Sequence, residues 1–510
     1  MNNFLDQLKE TLTDSDNNRF ITENGAVGYK TTGKELLDLN FAVSSLRGKP
    51  DGEIERMFSA ACAQDLNTAI VWLFFARDVR GGLGERNLFR VGMKYLAREF
   101  PDKVRKVLPL IAEYGRWDDL ICLSGAKVRA DVFAILRNQL TEDMANMRAG
   151  KPISLLAKWM PSENASSSET RKLGAAVRTY LAITPRKYRI MLSALRKYLK
   201  VVEVSMSSGK WQEITYSAVP SRANLLYNSA FLRHDEARRR EYLGKLEKGE
   251  EKINSSVLFP HDIVHQYMTH SGWSCGTKTY DAALEAMWKG LPNTVEEDRG
   301  TIVVADGSGS MKSFVGGSGV TALEVANALA IYFAEKLSGP FKNQYITFSS
   351  RPQLVNLAGG SSLKSKIDTA LRHNEVADTN VEAVFDLILA TAVRNKLSQA
   401  ELPANILIIS DMEFNSCAQA NRGRVDRTLF QHIASKYASY GYKFPRLVFW
   451  NVCSRTGTIP VKENDMGVAL VSGFSPNVAK MVMSGKLDPM DALLETLSAP
   501  RYDAVRKALA

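Results

Sequence analysis

Three short stretches place oxygen ligands just beyond apolar runs. The first is Thr301-Ile302-Val303-Val304-Ala305-Asp306-Gly307-Ser308-Gly309-Ser310-Met311. Asp306, Ser308 and Ser310 stand on alternate positions, and all three are hard oxygen donors of the kind Mg2+ prefers. The second is Thr379, within Ala377-Asp378-Thr379-Asn380. The third is Asp411, which ends the run Ile406-Leu407-Ile408-Ile409-Ser410. Together they make two carboxylates and three hydroxyls. Two carboxylates neutralise a divalent cation and the hydroxyls add neutral oxygens. An octahedral ion then keeps one position for water or for a carboxylate or phosphate of a ligand. Read alone, Gly307 and Gly309 only permit a tight turn and the serines cap a helix. That account leaves Thr379 and Asp411 without a part. A phosphate-cradling loop needs Gly-Lys-Ser/Thr, and Met311-Lys312-Ser313 lacks the glycine.

The elements around these residues must bring them together. After about residue 300, strand-like and helix-like segments alternate. Candidate strands are 301–306, 343–349, 405–410, 446–452 and 467–472. Candidate helices are 321–337, 361–372, 380–395, 425–440 and 475–484. Such alternation predicts an α/β doubly wound, mostly parallel sheet, in which ligands bind beyond the carboxyl ends of the strands. From about 53 to 300 the apolar spacing is helical almost throughout, which predicts an α-helical repeat array. The helix-like span Lys34 to Leu46 precedes it. Turn chemistry at Gly290-Leu291-Pro292-Asn293 puts the expected boundary between domains 1–292 and 293–510.

Asp306-x-Ser308-x-Ser310, then Thr379, then Asp411 resembles the metal-ion-dependent adhesion site of von Willebrand factor A domains. The resemblance implies a Rossmann-like domain binding Mg2+, or another divalent cation such as Mn2+ or Ca2+. In that family the serines and threonine ligate directly and the aspartates directly or through water. The helical half carries Ala76-Arg77-Asp78-Val79-Arg80-Gly81-Gly82-Leu83-Gly84-Glu85-Arg86 and Tyr114-Gly115-Arg116-Trp117-Asp118-Asp119-Leu120. Both are similar to the TROVE repeats of Ro-type RNA-binding proteins, which also place a von Willebrand A domain after their repeats. That likeness covers domain order and short motifs. It implies a HEAT-like domain, open or annular, that takes RNA. Ser154-Leu155-Leu156-Ala157-Lys158-Trp159-Met160-Pro161-Ser162, Val219-Pro220-Ser221-Arg222-Ala223 and Leu258-Phe259-Pro260-His261 extend the resemblance to a family of phage, bacterial, plant and giant-virus proteins with the same architecture.

Charge points the same way. Residues 171–240 hold 15 Lys and Arg against 4 Asp and Glu, an excess of 11, which equals the +11 of the whole 510-residue chain. Candidate RNA contacts are Arg186, Lys187, Arg189, Arg196, Lys197, Lys200, Arg238, Arg239 and Arg240. They are interleaved with Tyr180, Tyr188, Tyr198, Trp211, Tyr216 and Tyr227. Cations for phosphates and aromatics for base stacking hold single strands without strict sequence reading. The competing account puts the tyrosines in the helical core and the charges on solvated faces. Arg77, Asp78, Arg80, Glu85 and Arg86 read better as an ion-pair network around a glycine turn than as phosphate contacts.

Several chemistries find no support. His261-Asp262-Ile263-Val264-His265 has two histidines at zinc-protease spacing, but Asp is one methylene short for the base and no third ligand is evident. There is no GxSxG and no kinase motif set. The five cysteines are scattered without a CxxC pair, as in a reducing compartment. No apolar run reaches membrane-spanning length and no signal segment is visible, which predicts a cytoplasmic protein. The expectation is a non-catalytic RNA-binding protein whose metal site takes an acidic group of a protein partner. A metal-dependent adhesion module without RNA is the alternative, and a metal-dependent nuclease or phosphatase stands third.

Overall fold

The computed structural model describes residues 18–271, 274–295, 300–348, 351–374, 379–415, 429–462, 466–483 and 486–510. The chain forms two compact units, each discontinuous in sequence. One comprises Met1–Ala69 and Leu258–Ala499, the other Ile70–Val257 and Pro500–Ala510. The boundary expected at 292/293 therefore falls inside the first unit.

The first unit is built on a six-stranded sheet. Two short hairpins precede it in the chain, β1 (Arg19–Ile21) with β2 (Val27–Tyr29) and β3 (Met268–Ser271) with β4 (Ser274–Thr277). The sheet strands are β5 (Thr301–Asp306), β6 (Gln344–Phe348), β7 (Gln353–Asn356), β8 (Asn405–Ser410), β9 (Arg446–Asn451) and β10 (Val468–Ser472). Their order is β10-β9-β8-β5-β6-β7, all parallel except the β6–β7 edge pair. All of β5 is buried, as are Ile406 to Ser410 of β8, which is why both read as unbroken apolar runs. The chain winds one way from β5 to β7 and the other way from β8 to β10. The reversal lies between β5 and β8, and the crevice beyond their carboxyl ends is where such sheets bind ligands.

The helix Ala322–Lys336 is buried from Ala322 to Ala334, so it is apolar on all sides rather than along one stripe. Thr321 and Glu324 cap its start reciprocally. The helix Glu35–Ala42 packs against β10. Asn451 donates to the Phe41 carbonyl at 2.9 Å, and the Ser44 amide donates to Ser472 Oγ at 3.0 Å. Those bonds tie the segment 35–44 to the sheet, and the described residues up to Ala69 fall in the same unit, whereas the expected partition placed them in 1–292. The edge strand β7 has only two apolar residues, which is why alternation did not reveal it. The expected helix 425–440 appears as Leu429–Ser439, its first residues lying outside the described ones.

The second unit is helical from Ile70 to Val257. The stretch 101–114 is three pieces rather than one helix, Pro101–Val107, Leu108–Leu110 and Ile111–Tyr114, with Pro109 in the 3-10 turn between the other two. Asp119 is fully buried and binds two arginines, Arg77 Nη2 at 2.7 Å and Arg90 Nε at 2.7 Å. The buried Asp78 takes Arg501 from the chain's last residues at 2.9 Å. The glycine-rich motif is thus an ion-pair network, as its mixed charges suggest. A Cβ on Gly82 would lie 2.9 Å from the Phe75 carbonyl carbon, which only glycine avoids.

Candidate functional site

Asp306 ends β5 and Asp411 follows β8, so the strand pairing sets their backbones side by side. Both carboxylates are 1% exposed. Asp306 Oδ1 accepts from the Ser308 amide at 2.9 Å, and its Oδ2 accepts from Ser410 Oγ at 2.7 Å. Ser308 and Ser310 Oγ lie 3.0 Å apart. Asp411 Oδ1 accepts from the Glu413 amide at 3.2 Å, while its buried Oδ2 accepts no hydrogen bond. The nearest positive charge to that oxygen is Arg455 Nη2, 3.4 Å away. Met412, between Asp411 and Glu413, has φ +64°, the left-handed turn that folds the loop back.

Burial, and then the charge of Asp411, raises the Asp306 carboxyl above the usual range, with hydrogen bonds from Ser308 and Ser410 partly offsetting both. Burial also raises Asp411, against the pull of Arg455 and Ser310. Two neighbouring buried carboxylates that resist ionising together are what a divalent cation relieves. Among the described residues, no three His, Cys, Asp or Glu side chains form a metal-binding group. A cation here would depend on the hydroxyls, and the hard-oxygen set suits Mg2+ rather than zinc. Thr379 is 3% exposed. Its carbonyl accepts from the Asn415 amide at 3.1 Å, which ties it to the loop after Asp411. Ala377 and Asp378 lie outside the described residues.

Sequence reasoning missed four neighbours. Ser410 holds Asp306, and Arg455 faces Asp411. Asn24 Nδ2 lies 3.4 Å from Thr379 Oγ1 and donates to the Glu413 carbonyl at 2.6 Å. Glu413 is fully buried. Arg455 follows the carboxyl end of β9, a signal that could have found it. Nothing local marks Asn24.

The basic segment divides sharply. Arg239 is fully buried, donating to Asn224 at 3.2 Å and Asn228 at 2.8 Å among the rings of Tyr216, Phe231 and Tyr242. It is not available to a polyanion, because its guanidinium is part of the core. Arg196 donates to the Ala157 and Met160 carbonyls and to Ser162 Oγ, at 2.7 to 2.9 Å, fixing the Lys158-Trp159-Met160-Pro161 segment. Arg238 holds the Trp211 and Ile214 carbonyls and Asp235. Arg240 is exposed and pairs with Glu236 at 2.8 Å, a surface contact worth little. Arg186, Lys187, Arg189, Lys197 and Lys200 are exposed and make no side-chain bond among the described residues. The aromatics are mostly core: Tyr188 and Tyr216 are buried, Tyr180 stacks on Phe133 and Trp211 stacks on His234. Tyr198, at the end of the helix Pro185–Tyr198, keeps an exposed face.

His261 and His265 do not share a ligand position. His261 packs on Phe474, and His265 Nδ1 lies 2.8 Å from Glu324. No helix among the described residues is long and apolar enough to cross a membrane.

Residues 300–501 match a family model described as a domain of unknown function (DUF7788), and residues 163–301 match a second, DUF2828. Over 521 residues the chain is 31% identical to a protein of Acanthamoeba polyphaga mimivirus described as Uncharacterized protein L728, a match covering 94% of this chain and 87% of that one.

Proposed function

We propose that this chain, which belongs to the same family as the mimivirus protein L728, is a non-catalytic, metal-dependent binding protein. The α/β unit, read as a von Willebrand A domain, holds Mg2+ through Asp306, Ser308, Ser310, Thr379 and Asp411. When bound, the cation offers positive charge and a coordination position to a carboxylate or phosphate oxygen. The observation that carries this reading is the buried Asp411 Oδ2, without a hydrogen bond and beside a second buried carboxylate. The protein's own part is to hold the two carboxylates at adjacent strand ends and to keep the Ser308 and Ser310 hydroxyls beside them. Titration of the full chain with Mn2+, followed by calorimetry, should show one saturable site that is lost in Asp411→Ala. Absence of saturable binding would sink the reading. Divalent-dependent hydrolysis of RNA or a phosphate ester, abolished by the same substitution, would favour the nuclease or phosphatase instead.

RNA capture on the helical unit is the second reading. It is favoured by one observation, the five exposed and unbonded cations on and just after the helix Pro185–Tyr198. Retention of the chain on single-stranded homopolymeric RNA should fall in Lys187→Glu/Arg189→Glu/Lys197→Glu. The salt dependence should flatten by roughly 0.7 in log–log slope for each phosphate no longer neutralised. Unchanged, salt-insensitive retention would reduce the protein to the metal-dependent module alone.

A further inference from the structure

The hairpin of β1 and β2 lies along the loops that follow β8 and β9, within the same unit. Thr22 Oγ1 donates to the Phe414 carbonyl at 2.6 Å, and Tyr29 and Ile459 exchange two backbone bonds of 2.8 Å. Between these anchors the hairpin turn meets Glu413. That buried carboxylate accepts from the Glu23 amide at 3.1 Å, the Arg455 amide at 3.0 Å and the Thr456 amide at 2.9 Å. It also accepts from the Thr456 and Ser454 hydroxyls, at 2.9 and 3.3 Å. Glu413 is thus satisfied by amides and hydroxyls and needs no cation. Its role is to pin the hairpin turn beside the metal site.

The side chain carried by that turn is itself a carboxylate. Glu23 Oε2 lies 2.8 Å from Arg455 Nη2, the same nitrogen that stands 3.4 Å from Asp411 Oδ2. One guanidinium nitrogen therefore separates the two acids. The next residue, Asn24, contacts the Thr379 hydroxyl. Asp306, Asp411, Glu23 and Glu413 bring four carboxylates to this mouth, and Arg455 is the guanidinium that faces both Glu23 and Asp411.

We propose that Glu23 is an internal ligand of the metal site: the hairpin delivers an acid from within the chain to the position the five other ligands leave open. A partner's carboxylate or phosphate must then displace Glu23, and Arg455 is the place to which the displaced acid returns. The proposal rests on the metal reading above.

The test is a double-mutant cycle on the full chain, read as Mn2+ affinity by calorimetry. Glu23→Gln alone is ambiguous, since it also frees Arg455 to press on Asp411. The deciding comparison is Arg455→Gln against Arg455→Gln/Glu23→Gln. The second should bind Mn2+ more weakly by about tenfold or more, within the range seen when a group that supports a metal site is removed. Glu23→Asp in the same background should recover part of the loss. Equal affinities with and without Glu23 would overturn the proposal while leaving the metal site standing. Binding by Asp411→Ala equal to wild type would instead remove the metal reading, and the internal ligand with it. A second readout is independent of affinity: Mn2+ should slow tryptic cleavage at Arg19 and Lys30 in the wild type and not in Glu23→Gln. Equal protection in both chains would count against Glu23 as a ligand.

Discussion

Asp306 and Asp411 are ordinary residue types made unusual by burial and by each other. Their types and their places after apolar runs were legible, because a carboxylate at the end of a buried parallel strand has few other reasons to be there. Arg239 was not legible. In a basic run it resembles its neighbours, and only the fold removes its charge from solvent. Arg239→Ala would leave Asn224 and Asn228 without their donor and open a void among three rings. A loss of roughly 3–5 kcal/mol is expected in urea denaturation. RNA retention of the refolded protein should stay at the wild-type level. His265 gives a pH signature. Its hydrogen bond to Glu324 raises its pKa, and the imidazolium in turn helps hold the buried carboxylate below its usual range. A histidine raised on folding contributes stability that is fully present below the unfolded value near 6.5 and fades as pH rises through the folded one. The urea midpoint difference between wild type and His265→Gln should therefore be larger at about pH 5.5 than at about pH 8.5. A difference that does not change with pH would deny the pair its charge.

Among elements, the 185–198 helix and the hairpin of β1 and β2 show opposite limits of sequence reading. The helix lies in the stretch whose apolar spacing is helical almost throughout, and in the structure Pro185 and the Thr184 cap begin it. Its exposed face still needed the structure, since Tyr188, Leu192 and Leu195 turn inward and take the aromatic content of the motif with them. The hairpin has strands of only three residues, and in sequence the stretch Thr22 to Tyr29 reads as no more than a turn. Its docking partners lie far along the chain, Phe414 being 392 positions from Thr22, beyond the reach of any local pattern. Gly28 is where that docking is tightest, since a Cβ there would stand 2.7 Å from the Ile459 carbonyl oxygen. Gly28→Val should lift the hairpin, and Glu23 with it, while leaving Asp306 and Asp411 in place. Cleavage at Lys30 should accelerate several-fold, with the urea midpoint of the sheet unit falling by the equivalent of about 1–3 kcal/mol. Unaltered proteolysis would mean the hairpin is not held at this point.

For the molecule as a whole, the two compact units interrupt each other in the chain, an arrangement the expected boundary at 292/293 did not include. Composition changes where strands begin, near residue 300. The units are defined by pairings that composition does not record, such as Asn451 with Phe41 and Arg501 with Asp78. Removing Pro500–Ala510 should therefore weaken the helical unit rather than the sheet. Asp78, fully buried, would lose its guanidinium, and a stranded buried charge costs roughly 3–5 kcal/mol. Chemical denaturation followed by tryptophan fluorescence should detect an early transition absent from the intact chain. The same arrangement sets an order of assembly. Thr22 finds its acceptor in Phe414, 392 positions later. At about 5–20 residues per second, synthesis separates the two by tens of seconds. During that interval the hairpin strand has emerged from the ribosome with Glu23 not yet opposed by Arg455. On this schedule the carboxylate cluster at the strand ends stays incomplete until Asp411, Glu413 and Arg455 have been made, although Glu23 is among the first of its residues to be synthesised.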